Sequence, residues 1–169
     1  HHIRPLKSLG VLQAVSAANR PRAEGFASEQ DCLAVDPEEI YARDDIDAIV
    51  MALPPQFHSE CAIRAVRAGK DVLVEKPVAL TVPDAERAVK AAREAGRIFM
   101  VGHVLRFHPA FEKLKELIDA DELGQVKYIH SHRLGLGKFH TENDALWDLA
   151  PHDLSMILAI TGAAPLEIR

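Results

Sequence analysis

A lysine at the end of an apolar run, and an aspartate and histidine four residues apart, are the side chains of this chain with both the type and the spacing to move a proton. The lysine is Lys76, which closes the run Val72-Leu73-Val74-Glu75-Lys76-Pro77. Parallel sheets bind ligands outside the carboxyl ends of their strands, so a charged pair that ends a buried run lies on an active-site rim. A helix beginning near Asp148 brings Asp148 and His152 to one face, where the imidazole can share a proton transfer or hold a substrate hydroxyl. Six histidines, His103, His108, His130, His132, His140 and His152, make a metal site the competing chemistry. His130 and His132 would share one strand face at a chelating spacing. No further Cys or carboxylate stands at a ligand spacing around them, so no metal site is expected.

These residues need elements to position them, and the first hundred residues alternate strand with helix. Val11 to Ala18 reads as a strand, Pro21 to Ser28 as a short helix, Cys32 to Val35 as a brief apolar strand and Pro37 to Arg43 as a short helix. Ile46 to Leu53 is a strand suited to burial on both faces, broken by Pro54-Pro55. Glu60 to Ala68 is a helix stopped by Gly69, and Val72 to Val74 is the next strand. Val82 to Ala95 is a helix opened by Thr81 and closed by Gly96, and Ile98 to Val101 returns to strand. Such alternation predicts a parallel sheet with helices on both faces. After Gly102 the rhythm changes to a helix over Pro109 to Asp119, a strand over Val126 to Leu134, a polar loop from Gly135 to Asn143 and a helix over Pro151 to Ile160. One strand there cannot close a sheet, which predicts a chain cut short at its C-terminus.

Composition bounds the function. The 169 residues are 48% hydrophobic and 27% charged, with a net charge of −5 from interspersed acids and bases. No basic face invites nucleic acid or an anionic membrane. Cys32 and Cys61 fit no metal or redox spacing and read as small core residues of a reducing compartment. No leader and no membrane-length apolar run is present, so a cytoplasmic location is expected. His1-His2 reads equally as a tag remnant or as native sequence. None of the nine glycines forms G-x-G-x-x-G, and Gly135-Leu136-Gly137 reads as a turn.

Four motifs, Glu75-Lys76-Pro77, then Gly102-His103 with Arg106-Phe107 and Pro109, then Glu122-Leu123-Gly124, and Asp148-Leu149-Ala150-Pro151-His152-Asp153, occur in an order and spacing that resembles the Gfo/Idh/MocA oxidoreductases. Within that family the stretches His130 to Lys138 and Leu146 to Leu158 look most like the nucleotide-sugar branch typified by UDP-N-acetylglucosamine 3-dehydrogenase. The resemblance implies an α/β fold. Residues 1–103 would be a partial Rossmann domain, a parallel sheet lacking its first strand and Gly-rich loop. Residues 104–169 would begin an α/β substrate and oligomerisation domain with an open, largely antiparallel sheet. It implies hydride transfer between NAD, with NADP possible, and a sugar or nucleotide-sugar carbon such as a UDP-GlcNAc-like 3-hydroxyl.

By the same resemblance Lys76, Asp148 and His152 form the catalytic set, and Leu53, Pro54, His58, Glu75, Lys76, His103 and Arg106 contact the cofactor. Oxidising a secondary alcohol by hydride transfer needs a base for the hydroxyl proton, and a lysine amine can serve beside a cationic nicotinamide. Arg133, Lys138 and His140 stand where charge could meet a nucleotide-sugar diphosphate. Ala17 occupies the position where the family carries an acid for the adenosine ribose, which leaves Arg20 and Arg22 to favour a 2′-phosphate or to be solvated. A homo-oligomer, dimer or tetramer, is implied. The alternative is an inactive fragment, or a binding or oligomerisation module derived from such an enzyme, with weak or absent dinucleotide binding.

Overall fold

The computed structural model describes residues 2–133 and 145–168. The chain separates into two compact units, His1–Val101 and Gly102–Arg169.

The first unit runs α1 (Ile3–Ser8), β1 (Ala14–Val15), α2 (Arg20–Gln30), β2 (Leu33–Ala34), α3 (Glu39–Ala42), β3 (Ala48–Met51), a 3₁₀ turn (Pro55–Phe57), α4 (His58–Arg67), β4 (Asp71–Val74), α5 (Val82–Ala95) and β5 (Phe99–Val101). All pairing among the described strands is parallel, β1 with β2 and β3-β4-β5 with β4 central. The expected alternation is thus present, with strands shorter than their apolar runs. A strand lasts only while a neighbour pairs with it, and Pro54 brings no N–H to extend β3. Helix α1 was not legible as an element: it is six residues long, buries none of them, and so leaves no apolar stripe.

Burial along β3 and β4 has period two. Ile49 and Met51 register with Val72 and Val74, and all four are buried. They pack with Ala62, Ile63, Ala65 and Val66 of α4 and with Ala88, Ala91 and Ala92 of α5. Alanines let the two helices lie close on the strands. The alternate residues Val50 and Leu73 are only half-buried and Ala48 is exposed. This corrects the expectation that β3 is buried on both faces. The apolar run exceeds what the fold covers, because α4 and α5 share one core cluster.

Helix α5 matches its expected bounds. The Thr81 hydroxyl accepts the Asp84 N–H, and Gly96 ends the helix at φ +63, a left-handed conformation that costs glycine little.

The second unit holds a 3₁₀ turn (Val104–Phe107), α6 (Pro109–Asp119) and α7 (Ala145–Thr161). The expected strand over 126–134 is absent over its described part: residues 124–133 carry no regular structure, and this unit has no strand among the described residues. An extended segment becomes a strand only beside a partner, and none stands among the described residues of this unit. The largely antiparallel sheet expected of 104–169 therefore has no counterpart among the described residues. Helix α7 starts six residues ahead of the expected Pro151 and carries that proline inside it. Pro151 withholds one N–H, but packing of α7 against the 3₁₀ turn and α6 offsets that loss. The polar loop over 135–143, with Lys138 and His140, lies outside the described residues.

Candidate active site

In the first unit the candidate residues gather at the carboxyl ends of β3 and β4. The ladder ends where the Glu75 N–H donates to Met51 O at 2.9 Å. Leu53 and Pro54 follow β3, and Glu75, Lys76 and Pro77 follow β4, with the Lys76–Pro77 peptide cis. The Lys76 N–H donates to Glu75 Oε2 at 3.3 Å, so the carboxylate turns back over its own backbone. Glu75 Oε1 also accepts from the His2 ring at 2.6 Å. Lys76 is half-buried, as expected of a group at the rim rather than in bulk water.

His58 is placed otherwise than a cofactor contact would be. It opens α4, is 1% exposed, and its ring nitrogens reach two carbonyls, Nδ1 to Pro77 O and Nε2 to Leu53 O, both at 2.7 Å. Its polar atoms face the two rim turns from beneath. Sequence reasoning found the residue but not this task, because the partners are backbone atoms of other turns.

At the end of β1, Ser16 Oγ is buried with no hydrogen-bond partner among the described residues. An orphaned hydroxyl at a strand's carboxyl end suits the sugar end of a dinucleotide. Ala17 beside it is half-buried and brings no carboxylate. Arg20 is tied to Glu24 at 2.9 Å and Asp36 at 2.8 Å, and those hydrogen bonds hold its guanidinium above its ordinary pKa. Arg20 is therefore committed to carboxylates. Arg22 lies over the Phe26 ring at 5.7 Å, while its backbone N–H is capped by Asn19.

In the second unit His103 precedes the 3₁₀ turn, and its carbonyl accepts the Arg106 N–H at 3.0 Å; the Arg106 side chain is exposed. Asp148 and His152 sit four apart on α7, both half-buried, as the spacing predicted. Asp153, which sequence reasoning passed over, is held by three hydrogen bonds. It accepts from Arg133 Nε at 2.7 Å, from the second Arg133 nitrogen at 3.0 Å and from Ser131 Oγ at 2.9 Å. The Arg133 hydrogen bonds hold the Asp153 carboxyl below the usual carboxylate range. Arg133, read from sequence as a diphosphate contact, thus spends its fork on Asp153. The adjacency of Asp153 to His152 was the available signal.

Three further histidines among the described residues do other work. His108 caps α6 by accepting the Ala110 N–H at 3.2 Å. His130 and His132 meet Nε2 to Nε2 at 2.7 Å, and among the described residues no group of three or more His, Cys, Asp or Glu could hold a metal.

Comparison with known proteins gives the same picture. Residues 1–103 match the Gfo/Idh/MocA description "oxidoreductase family, NAD-binding Rossmann fold". UDP-N-acetylglucosamine 3-dehydrogenase of Acidithiobacillus ferrooxidans is 30% identical over 99% of this chain and 52% of its own. Its solved structure superposes with a TM-score of 0.89, covering 99% of this chain and 54% of that one. 2,7-Anhydro-N-acetylneuraminate hydratase of Mediterraneibacter gnavus is 35% identical over 78% of this chain and 36% of its own. KijD10, a 3-ketoreductase of Actinomadura kijaniata solved with NADP and TDP-benzene, superposes at a TM-score of 0.65 and 31% identity over 70% of this chain and 37% of that one. The chain thus spans about half the length of the first of these relatives, and less of the other two.

Proposed function

Since the chain belongs to the Gfo/Idh/MocA oxidoreductase family, we propose that it forms part of an enzyme that moves a hydride between a nicotinamide dinucleotide and a sugar carbon. A nucleotide sugar is the finer substrate class. The observation that carries this is Glu75-Lys76-Pro77 standing at the carboxyl end of the central parallel strand, where α/β sheets hold ligands. When bound, the dinucleotide supplies the hydride acceptor or donor.

Each residue then has a task. Lys76 takes the proton of the alcohol undergoing oxidation, and Asp148 and His152, four apart on α7, are the second unit's candidates for orienting a hydroxyl or carrying a proton. Leu53, Pro54, Glu75, His103 and Arg106 line the dinucleotide path, Ser16 Oγ offers a hydrogen bond near its ribose, and the buried His58 supports the path from below. NAD is the expected cofactor; NADP stays within this reading because Ala17 offers the ribose no carboxylate. The substrate preference rests on likeness to the nucleotide-sugar relative, and assembly as a dimer or tetramer belongs to the same reading.

The test is spectrophotometric. NAD⁺ or NADP⁺ is mixed with UDP-GlcNAc, free hexoses and inositol, and reduced nicotinamide is followed. Lys76→Ala is expected to lower turnover by about 10²–10⁴-fold while dinucleotide affinity holds. Unchanged turnover in Lys76→Ala removes the lysine from the mechanism. A second reading, a binding or oligomerisation module, is favoured by one specific feature: no G-x-G-x-x-G occurs in these residues. Calorimetric titration with NADH and NADPH separates the two, since the module reading predicts no micromolar binding.

A further inference from the structure

We propose that Asp153 is the positioning residue of α7, an anchor one residue past His152 that fixes the rotation of the turn carrying it. The importance of that turn rests on the function proposed above; the geometry does not. Pro151 has no N–H, so one backbone bond is missing from the turn that leads into His152. Two side chains hold the helix on the far side of the proline. The Ser155 hydroxyl donates to the His152 carbonyl at 2.8 Å. The Asp153 carboxylate reaches out of the helix and accepts from Ser131 Oγ at 2.9 Å and from two nitrogens of Arg133, Nε at 2.7 Å and Nη2 at 3.0 Å. Residues 131–133 pair with no strand among the described residues, so this tie to α7 is made by side chains.

Consecutive helix residues stand about 100° apart around the axis, so Asp153 lies on the flank of the face that Asp148 and His152 share. An anchor there sets the azimuth of that face without covering it. Nε and Nη2 each meet a different carboxylate oxygen, and such a planar fork fixes an angle as well as a distance, which a lysine ammonium cannot do. Exposed ion pairs contribute little, but this one is set in: the Asp153 and Arg133 side chains are 16% and 33% exposed. Aspartate is a poor helix former, and alanine at 153 would suit α7 better on propensity alone. What alanine lacks is an acceptor for the three donors from Ser131 and Arg133.

Amide hydrogen exchange on the whole chain, without dinucleotide, tests this. Asp153→Asn is expected to speed exchange at Leu154 to Ile157 about tenfold and to leave α6 unchanged. Arg133→Lys keeps the charge but loses the fork, and is expected to do the same; the double variant should be no faster than either single one. An unchanged turn in either single variant, additive effects in the double, or α6 and α7 loosening together overturns the proposal, as does a wild type unprotected at Leu154 to Ile157. In the wild type the Arg133 Nε–H is expected to exchange about tenfold more slowly than that of the exposed Arg4, and equal rates overturn the proposal without any variant having to fold. In turnover assays with UDP-GlcNAc, hexoses and inositol, Asp153→Asn is expected to lower kcat about tenfold with dinucleotide KM unchanged. A loosened turn with kcat held overturns the positioning. If the wild type turns nothing over, the proposed function fails while the exchange pattern still decides the anchor.

Discussion

Asp153 carries a charge the molecule has already spent, and that has a pH consequence. Its carboxyl is held low chiefly by the Arg133 hydrogen bonds, so the folded group stays ionised where the unfolded one, near 3.9, begins to protonate. The resulting stability is complete above about pH 5 and is lost as pH falls from there through the lower folded value. Asp153→Asn is expected to cost about 1–2 kcal/mol at neutral pH and to flatten the acid limb below pH 4. Trp147, the chain's one tryptophan, lies on the same helix and reports the transition by fluorescence. Tyr41 makes the opposite case: burial, then the Cys61 thiol beside it, pushes its phenol up to about 12. Neutral phenol is favoured by the fold, so this contribution is intact below about pH 10 and fades as pH rises from there toward 12. In Tyr128→Phe the remaining tyrosinate absorbance should rise near pH 12; a midpoint near 10 would mean that Tyr41 is solvated. Lys76 was legible because an apolar run ends on it. The contact of His58 with Pro77 and the pairing of Arg133 with Asp153 were not, because those partners lie 19 and 20 positions away and leave no local pattern.

Elements whose ends are written in single residues could be read to the residue. Thr81 caps α5, accepting the Asp84 N–H and donating to Asp84 Oδ2 at 2.7 Å, and Gly96 closes it. Thr81→Ala should cost about 1 kcal/mol through the lost cap. Gly96→Ala should cost about the same through its φ of +63 alone, since an added Cβ there meets nothing within 4 Å. Standing at opposite ends of a 14-residue helix, the two should sum to about 2 kcal/mol in urea denaturation. A double variant no worse than either single one would mean that α5 frays at one end. Elements defined by a partner were not legible in this way. The residues after Gly124 have strand-like composition, but composition cannot supply the neighbouring strand. Pro151 looked like a first residue because proline favours that position, while the apolar face of α7 continues upstream through Leu149 and Leu146.

At the scale of the whole molecule the two units differ in what they bury. The first has a continuous core of β3, β4, α4 and α5, with Val66, Val74 and Ala65 at 1% exposure or less. Among the described residues of the second none is buried, and Val104, Phe107, Leu154 and Leu158 are exposed. Local opening free energy follows buried apolar contact, so unfolding should be staggered. In a urea titration followed by amide exchange, α6 and α7 are expected to lose protection first, with the Trp147 fluorescence change preceding loss of protection in β4. One coincident transition by both probes would mean that the two units do not unfold separately. The order also bears on the proposed function: α7 carries Asp148 and His152, to which that reading assigns proton handling, so mild urea should weaken that step while the Lys76 turn, which follows β4, still holds.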